Sequence, residues 1–304
     1  MPLPPLPTGL TSRALTAGDL EPVFAVYAAD EVADAGLLAL EIEDIEGDWA
    51  RPSFALATDA IGVFDGGQLV GAAEVSRGGT TADGAVLPSA RSRRIGAWLL
   101  AWTEERARAM GSNEVGQNVP AGSTAERALT ANGYACAWTA WVLELPEGSA
   151  IPPRPLPPGF HLVTGDTPER EHAAYEVIEV AFGEWPSRTP QTFDDWRATT
   201  VDRPGSEPWQ LRLVEVDGAC VGAAFTILDT QRCGYVHQVA VRSDHRGRGL
   251  AQALLADAFE RARARGAVRS ELSTDSRTGA LGLYEKVGMT VTSTWVQLRK
   301  PLSS

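Results

Sequence analysis

The pattern of apolar and polar positions predicts a similar series of strands and helices in each half of the chain. In the first half it predicts a strand, a helix, a hairpin, a strand, a helix, a strand, a helix and a strand, at residues 12–16, 19–35, 60–75, 85–88, 95–110, 113–119, 123–131 and 134–145. The second half predicts a similar series, at residues 160–164, 168–182, 192–201, 210–216, 220–228, 234–241, a long helix after 246–251, 270–275, 279–287 and 290–299. Two copies of one α/β unit explain this repetition better than one large domain.

The sharpest break in composition separates the two copies. Residues 146–159 contain six prolines in fourteen positions, which is typical of a stiff, extended linker. A chain of 304 residues also exceeds the usual size of one domain. The sequence therefore predicts a first domain at 1–145, a linker at 146–159 and a second domain at 160–304.

Charge and cysteine content exclude several classes of function. The formal net charge is −12, from 27 basic and 39 acidic side chains, so a general nucleic-acid binder is not expected. Three cysteines and four histidines are scattered without metal-ligand spacing, so neither a metal site nor a disulfide framework is predicted. The proline-rich start does not resemble a signal peptide, and no apolar run is long enough to cross a membrane. These features favour a soluble, cytoplasmic protein.

The candidate chemistry lies in a glycine-rich turn between a strand and a long helix. The strand ends at Val241, and the sequence RGRGLA at 246–251 begins the helix. Gly247 and Gly249 lack side chains, so backbone amides can approach an anion closely at the helix N-terminus. Arg246 and Arg248 can add charge-assisted contacts. We interpret this turn as a diphosphate cradle, although an ordinary tight turn has the same glycine spacing.

Three motifs in this order resemble the acyl-CoA core of the GCN5-related N-acetyltransferase (GNAT) superfamily. Its R/Q-x-x-G-x-G/A signature is similar to residues 246–251, its V-x-V strand end to 239–241, and its tyrosine-bearing tract to TGALGLYEKVGM at 278–289. The tandem arrangement resembles that of mycothiol synthase-like proteins. The resemblance implies an α/β (α+β) fold of two tandem GNAT-like domains, each a mixed, largely antiparallel sheet flanked by helices, with a splayed cofactor cleft.

The resemblance also implies a function. It predicts an N-acetyltransferase that moves acetyl from acetyl-CoA to a primary amine of a small molecule, by direct attack in a ternary complex. The alternatives are a non-catalytic acyl-CoA-binding or regulatory module and a protein acetyltransferase acting on N-termini or lysines. A monomer or homodimer without a nucleic-acid or membrane partner is expected. The residues implied at the cofactor are Val239, Ala240, Val241, Arg246, Gly247, Arg248, Gly249, Leu250, Ala251, Gln252, Ser276 and Tyr284.

Two residues are predicted to be catalytic. Tyr284 matches the family tyrosine beside the cofactor sulfur, and a phenol of reference pKa ~10 can donate a proton to the leaving thiolate. His237 lies on the strand that enters the cleft and is a candidate general base, although a structural histidine fits equally well. Simple alternation places it on the face of Val239 and Val241. Glu179, Glu184, Asp275 and ordered water are other candidates for the base.

The sequence departs from the family pattern before the short helix. Arg277 stands where the family has an asparagine that contacts the cofactor. The hydroxyl of the neighbouring Ser276 is therefore expected to make this contact instead. Ahead of the cofactor strands, Trp185 and Trp196 are predicted to line an acceptor pocket, with helix packing as the alternative.

The first half lacks the key residues of this site. Aligning the two turns places Ser92 at Gly247, Arg94 at Gly249 and Leu129 at Tyr284. A side chain at position 94 would crowd the phosphates, and the proton donor is missing. We therefore predict that the first domain is not catalytic and that it binds a cofactor weakly at most.

Overall fold

The computed structural model describes residues 3–186 and 188–302. Up to Glu144 the helices and strands are β1 (Leu10–Ala14), α1 (Leu20–Ala35), α2 (Ile42–Trp49), α3 (Leu56–Asp59), β2 (Ala60–Asp65), β3 (Gln68–Ser76), β4 (Thr81–Val86), α4 (Ile95–Ala109), β5 (Glu114–Pro120), α5 (Thr124–Ala131) and β6 (Ala135–Glu144). The remainder are β7 (Phe160–Thr164), α6 (Pro168–Gly183), α7 (Phe193–Ala198), β8 (Leu211–Val216), β9 (Ala219–Leu228), β10 (Cys233–Val241), α8 (Leu250–Ala264), β11 (Arg269–Asp275), α9 (Leu281–Lys286) and β12 (Thr290–Pro301).

The chain forms two units that exchange their final strands. The first unit contains the residues up to Thr139 together with those from Trp295 onward, and the second unit is Ala140–Thr294. The second unit therefore includes the proline-rich segment 146–159. This division differs from the sequence-based boundaries at 145 and 160, because a linear pattern cannot reveal that the last strand returns to the first unit.

The first unit has a mixed, mostly antiparallel sheet. Its strand order is β1, β2, β3, β4, β5 and the Trp295–Pro301 part of β12, and only the β4–β5 pair is parallel. Val23 and Val26 of α1 pack on one side of this sheet, and Ile95 and Leu99 of α4 pack on the other. The short helices α2 and α3 were not predicted from the sequence.

The second unit repeats this arrangement. Its order is the Ala140–Glu144 part of β6, then β11, β10, β9, β8 and β7, with only β10 and β11 parallel. The helices α6 and α7 cover one face through a cluster that includes Ile178 and Phe225, and α8 covers the other through Leu254 and Leu255. The predicted α/β fold of two similar domains is confirmed.

Local turn chemistry accounts for the hairpins of both units. Asp217 and Gly218 connect β8 to β9, with φ of 50° and 77°. Gly66 and Gly67 connect β2 to β3 in the same way, with φ of 55° and 91°. Two consecutive positive φ angles match the twist of a hairpin and favour Asp-Gly or Gly-Gly.

Within the described ranges, no helix combines the length and apolar character needed to cross a bilayer.

Candidate functional site

The strand β10 separates from its parallel neighbour just before the glycine-rich turn. The β10–β11 ladder runs from Cys233–Arg269 to Val236–Leu272, whereas the β9–β10 ladder continues to Val241. Between Val236 and Gln238 the β9–β10 register shifts, which is the signature of a β-bulge. Within the described residues, β10 therefore no longer pairs with β11 beyond Val236, which leaves a gap between the two strands. An extended ligand can pair with backbone groups at such an edge.

The glycine-rich turn adopts a conformation that requires glycine. Gly247 has φ of 76° and Gly249 has φ of 82°, both in the left-handed region. Gly249 is also the residue that precedes the first turn of α8, so amides without helical partners point outward beside it. The predicted helix face is present, since Leu250, Leu254 and Leu255 are buried. These features give the turn the geometry of an anion cradle.

The two arginines of the turn are used differently. Arg246 donates to the Val241 carbonyl through Nε at 3.1 Å and to both carboxylate oxygens of Glu184 at 2.8 and 2.9 Å. This bidentate pair lowers the pKa of Glu184 below its usual value. Arg246 therefore fixes the shape of the turn, while its charge is shared with a carboxylate. The Arg248 guanidinium lies 5.9 Å from the centroid of the Phe160 ring.

Tyr284 lies in the core beneath the gap. Its side chain is 7% exposed and belongs to an apolar cluster with Val236, Leu255 and Phe259. Burial raises the pKa of the phenol to about 12, so it stays protonated across the physiological range. The hydroxyl makes no hydrogen bond to another residue that the structure describes. It is chemically suited to donate a hydrogen bond to a developing thiolate.

His237 lies at the bulge and is exposed. Its ring is 6.4 Å from the Phe225 ring and 6.4 Å from the Tyr235 ring. Phe225 packs on the α6 face, whereas Val239 packs toward α8. The expected alternation of His237 with Val239 and Val241 therefore does not hold, because the bulge inserts a residue into the strand.

The other candidate bases all have partners that occupy their oxygens. Glu184 binds Arg246, and Glu179 accepts from Arg188 at 2.8 Å and from the Gln191 amide at 3.1 Å. Asp275 accepts from the Arg277 amide at 2.9 Å, from Nε at 3.1 Å and from Nη2 at 2.6 Å. These hydrogen bonds engage the oxygens of all three carboxylates. His237 and Glu184 are both exposed, whereas Asp275 is buried.

The aromatic residues predicted at the acceptor side have different environments. Trp196 is 1% exposed, packs between α6 and α7, and donates its indole N–H to the Gln238 Oε1 at 2.8 Å. It can therefore influence a ligand only through Gln238. Trp185 is half-buried and stacks on Phe182, with ring centroids 4.3 Å apart. Trp185 retains surface that a ligand could contact.

The turn after β11 is rigid and polar. Arg277 bonds to Asp275, donates to the Pro186 carbonyl at 3.4 Å and lies 5.4 Å from the Trp185 ring centroid. This arginine fills the position that the family pattern gives to an asparagine. The neighbouring Ser276 is exposed at the end of β11.

Sequence reasoning missed two polar pairs at the gap. The Tyr235 hydroxyl and the Ser273 Oγ lie 2.8 Å apart, and they join β10 to β11 where the parallel ladder ends. The second pair is Trp196 with Gln238, described above. Strand alternation could have placed Tyr235 near the gap, but its partner on β11 required the register between distant segments.

The corresponding turn of the first unit has the same backbone without the glycines. Ser92 has φ of 68° and Arg94 has φ of 62°, at the positions aligned with Gly247 and Gly249. Arg91 forms ion pairs with Asp30 at 2.7 Å and with Asp34 at 2.9 Å. A cavity of about 430 Å³ lies beside this turn. Its wall includes Leu129, the residue aligned with Tyr284.

Comparisons with the sequences of known proteins point to one family. The sequence profile of the acetyltransferase (GNAT) family matches residues 171–289. A mycothiol acetyltransferase of Thermomonospora curvata is 30% identical over 228 residues, which cover 73% of this chain and 74% of that protein. Another, from Thermobispora bispora, is 28% identical over 236 residues, covering 75% and 79% respectively.

Solved structures are similar over nearly the whole chain. A GCN5-related N-acetyltransferase from Sphaerobacter thermophilus is 29% identical, with a TM-score of 0.76 and coverage of 99% of this chain and 98% of that one. A tandem GNAT protein from the clavulanic acid biosynthesis pathway shares the fold at 22% identity, with a TM-score of 0.71 and coverage of 97% and 99%. The chain belongs to the acetyltransferase (GNAT) family and is an acyltransferase with two tandem domains.

Proposed function

We propose that the chain transfers an acetyl group from acetyl-CoA to a primary amine of a small molecule, at a single site in the second unit. The observation that carries this proposal is the opening of β10 from β11 after Val236, directly ahead of the Gly247–Gly249 cradle. One end of this gap suits a diphosphate, and the other begins at Val236, which shares an apolar cluster with Tyr284. The length of an acyl-CoA arm can thus be held in one extended groove.

The cofactor would be held mainly by the backbone. The amides at the start of α8 bind the diphosphate, and Gly247 and Gly249 let it approach. The edge of β10 at Val239, Ala240 and Val241 pairs with the amide groups of the arm. Leu250, Ala251 and Gln252 form the first turn of the helix, and Arg248 remains at the surface of the cradle. Ser276 offers a hydroxyl at the far side of the gap.

The reaction would proceed by direct attack within a ternary complex. The amine nitrogen forms a bond to the carbonyl carbon, and the carbon–sulfur bond of the thioester breaks. His237, directly or through water, accepts the proton that the amine loses. A backbone N–H of β10 stabilises the oxyanion. Tyr284 donates a hydrogen bond to the departing sulfur and then a proton, since its phenol remains neutral at physiological pH.

The acceptor would bind on the α6 side of the gap. Trp185, whose ring packs against the Arg277 guanidinium, provides an apolar wall. Trp196 orients Gln238 through its indole hydrogen bond. The names of the mycothiol acetyltransferases support a small-molecule acceptor rather than a protein. The first unit has neither the cradle glycines nor a tyrosine at Leu129, and we infer that it is not catalytic.

The test is release of free thiol from acetyl-CoA in the presence of a panel of small amines. The panel should include the acceptor used by the mycothiol acetyltransferases, together with N-terminal and lysine peptides. The proposal predicts thiol release and an acetylated product with at least one small amine. The trimethylated form of the active amine serves as the matched control, because a quaternary ammonium nitrogen has no lone pair with which to attack the carbonyl.

Two results would favour the alternatives. Binding of acetyl-CoA in calorimetry without turnover on any acceptor would indicate a non-catalytic acyl-CoA module. Turnover confined to peptides would indicate a protein acetyltransferase. Faster turnover with a longer acyl-CoA than with acetyl-CoA would replace the assigned donor.

A further inference from the structure

The proline-rich segment 146–159 is fastened along helix α8. Ile151 is 5% exposed and packs in the cluster that contains Leu255 and Phe259. Leu156 packs in the cluster that contains Leu250 and Leu254. Between these two anchors, the Pro152 carbonyl accepts a hydrogen bond from the Gln252 side chain at 2.8 Å. The segment is therefore held in one position beside the first turns of α8.

This attachment places the Arg154 side chain over Gly249. A Cβ atom added at Gly249 would lie 3.0 Å from the Arg154 Cζ, and it would come still closer to Nε and Cδ. Gly249 precedes the first turn of α8, where the outward-pointing amides lie. The Arg154 guanidinium thus occupies the open side of the cradle.

Arg154 differs from the cradle arginines in its partners. It is exposed and makes no ion pair or hydrogen bond with any other residue that the structure describes. Arg246, in contrast, has its charge balanced by Glu184. A guanidinium presents five donors in a planar fork that matches phosphate oxygens. Arg154 therefore brings an uncompensated cation to the position where the cradle receives an anion.

The first unit contains the same segment without the arginine. The sequence LPTGL at 6–10 parallels LPPGF at 156–160, which places Pro4 at the position of Arg154. There Leu6 packs in the cluster of Ile95 and Leu99, and the Trp98 indole donates to the Pro4 carbonyl at 3.0 Å. Attachment of the segment to its helix therefore does not require an arginine, so packing alone does not explain Arg154.

We propose that Arg154 is a cofactor-binding residue of the second unit, whose guanidinium binds the diphosphate of acyl-CoA on the Gly247–Gly249 cradle. This inference rests on the function proposed above. The segment 151–156 acts as a strap that carries this cation to the cradle. In the first unit, the equivalent segment has Pro4 at this position, and an arginine, Arg94, lies in the turn itself.

The test is calorimetric binding of acetyl-CoA to the full chain and to Arg154→Gln. We expect the dissociation constant to rise about 10-fold, as for the loss of one charge-assisted contact. Arg154→Lys should lose less, since the charge remains without the fork. The matched control is Arg265→Gln at the other end of α8, about 22 Å away along the helix. It should bind acetyl-CoA as the natural chain does.

Dephospho-CoA, which lacks only the 3′-phosphate, separates the possible targets. The same fold loss with dephospho-CoA supports the diphosphate assignment, and disappearance of the loss would overturn it. Equal or tighter binding of acetyl-CoA by Arg154→Gln would also overturn the inference. If the natural chain itself does not bind acetyl-CoA, the proposed function fails first. Melting temperatures of all variants check that each is folded.

Discussion

The strand–turn–helix segments of the two units have the same backbone conformation at the turn but differ in whether a ligand can reach the backbone amides there. Both turns place two residues at positive φ, Gly247 and Gly249 in the second unit and Ser92 and Arg94 in the first. The shape of the turn thus belongs to the fold. Access to the helix amides depends on the side chains, because Arg94 carries a Cβ where Gly249 leaves room for a ligand. Turn geometry alone is therefore not evidence of a cofactor site.

A second difference concerns paired positions on the central strands. In the first unit Glu74 pairs across the strands with Asp83, whereas the matching pair in the second unit is Phe225 with Gln238. Burial raises the pKa of Glu74 to about 8, despite a hydrogen bond from the Trp49 indole. The nearby Asp48 raises the pKa of Glu74 further, and Arg51 lowers it.

The largest predicted effect on kcat is that of Tyr284→Phe. Removing the hydroxyl should lower kcat about 100-fold, because the departing thiolate loses its proton donor. The affinity for acetyl-CoA should change less than about twofold, since the phenol contributes little to ground-state binding. Steady-state kinetics and calorimetry measure the two quantities.

The matched control for this variant is Tyr27→Phe in the first unit. Its buried hydroxyl has no hydrogen-bond partner in the described part of the chain, so its removal should leave kcat unchanged. An unchanged kcat in Tyr284→Phe would remove this residue from the acid role.

The next effect is a pH-dependent gain of stability in Glu74→Gln. The folded state raises the pKa of Glu74, so the stability that this group contributes is fully present below its unfolded pKa and is lost as pH rises toward 8. Glutamine keeps the acceptor for Trp49 but cannot ionise. We expect on the order of 2 kcal/mol greater unfolding free energy than the natural chain at pH 8.5, and little difference at pH 4.5.

Urea unfolding at several pH values checks this prediction. Glu21→Gln on the exposed side of α1 is the matched control and should follow the natural chain at every pH. A Glu74→Gln curve parallel to that of the natural chain would contradict the comparison of the two strand pairs.

The smallest effect is on backbone strain in Arg94→Gly. A residue with a Cβ is disfavoured at φ of 62°, so glycine should stabilise the first unit by about 1 kcal/mol. Arg93→Gly is the control, because Arg93 lies outside the left-handed region and forms an ion pair with Asp65 at 2.6 Å. It should lose stability in the same urea measurement. A loss of stability in Arg94→Gly would show that the left-handed φ at this position is not strained.

Local patterns were sufficient to predict the repeat, the hairpin turns and the position of the glycine-rich turn before helix α8. The alignment of Ser92 with Gly247 and of Arg94 with Gly249 identified two equivalent turns, and the structure shows that both have positive φ angles. These features depend on residues that are close in sequence, so turn chemistry and helical spacing are enough to find them.

Features that depend on distant segments could not be predicted. Pairing of Trp295–Pro301 with β5 is decided by tertiary contacts, as is the burial of Trp196 on Gln238. The bulge beside His237 changes which face its side chain occupies, although the strand looks regular in sequence. The contact of Arg154 with Gly249 joins positions 95 residues apart, so composition alone suggested only a linker.

A single cradle, in the second unit, is expected to support acyl transfer. Its most direct test is kcat/KM for acetyl-CoA in Gly249→Arg, which gives the second unit the residue that the first unit has at Arg94. The new side chain would enter the space of Arg154 and of the diphosphate, so we predict a loss of about 100-fold or more in a folded protein. Retention of the natural kcat/KM would show that acyl transfer does not depend on this cradle.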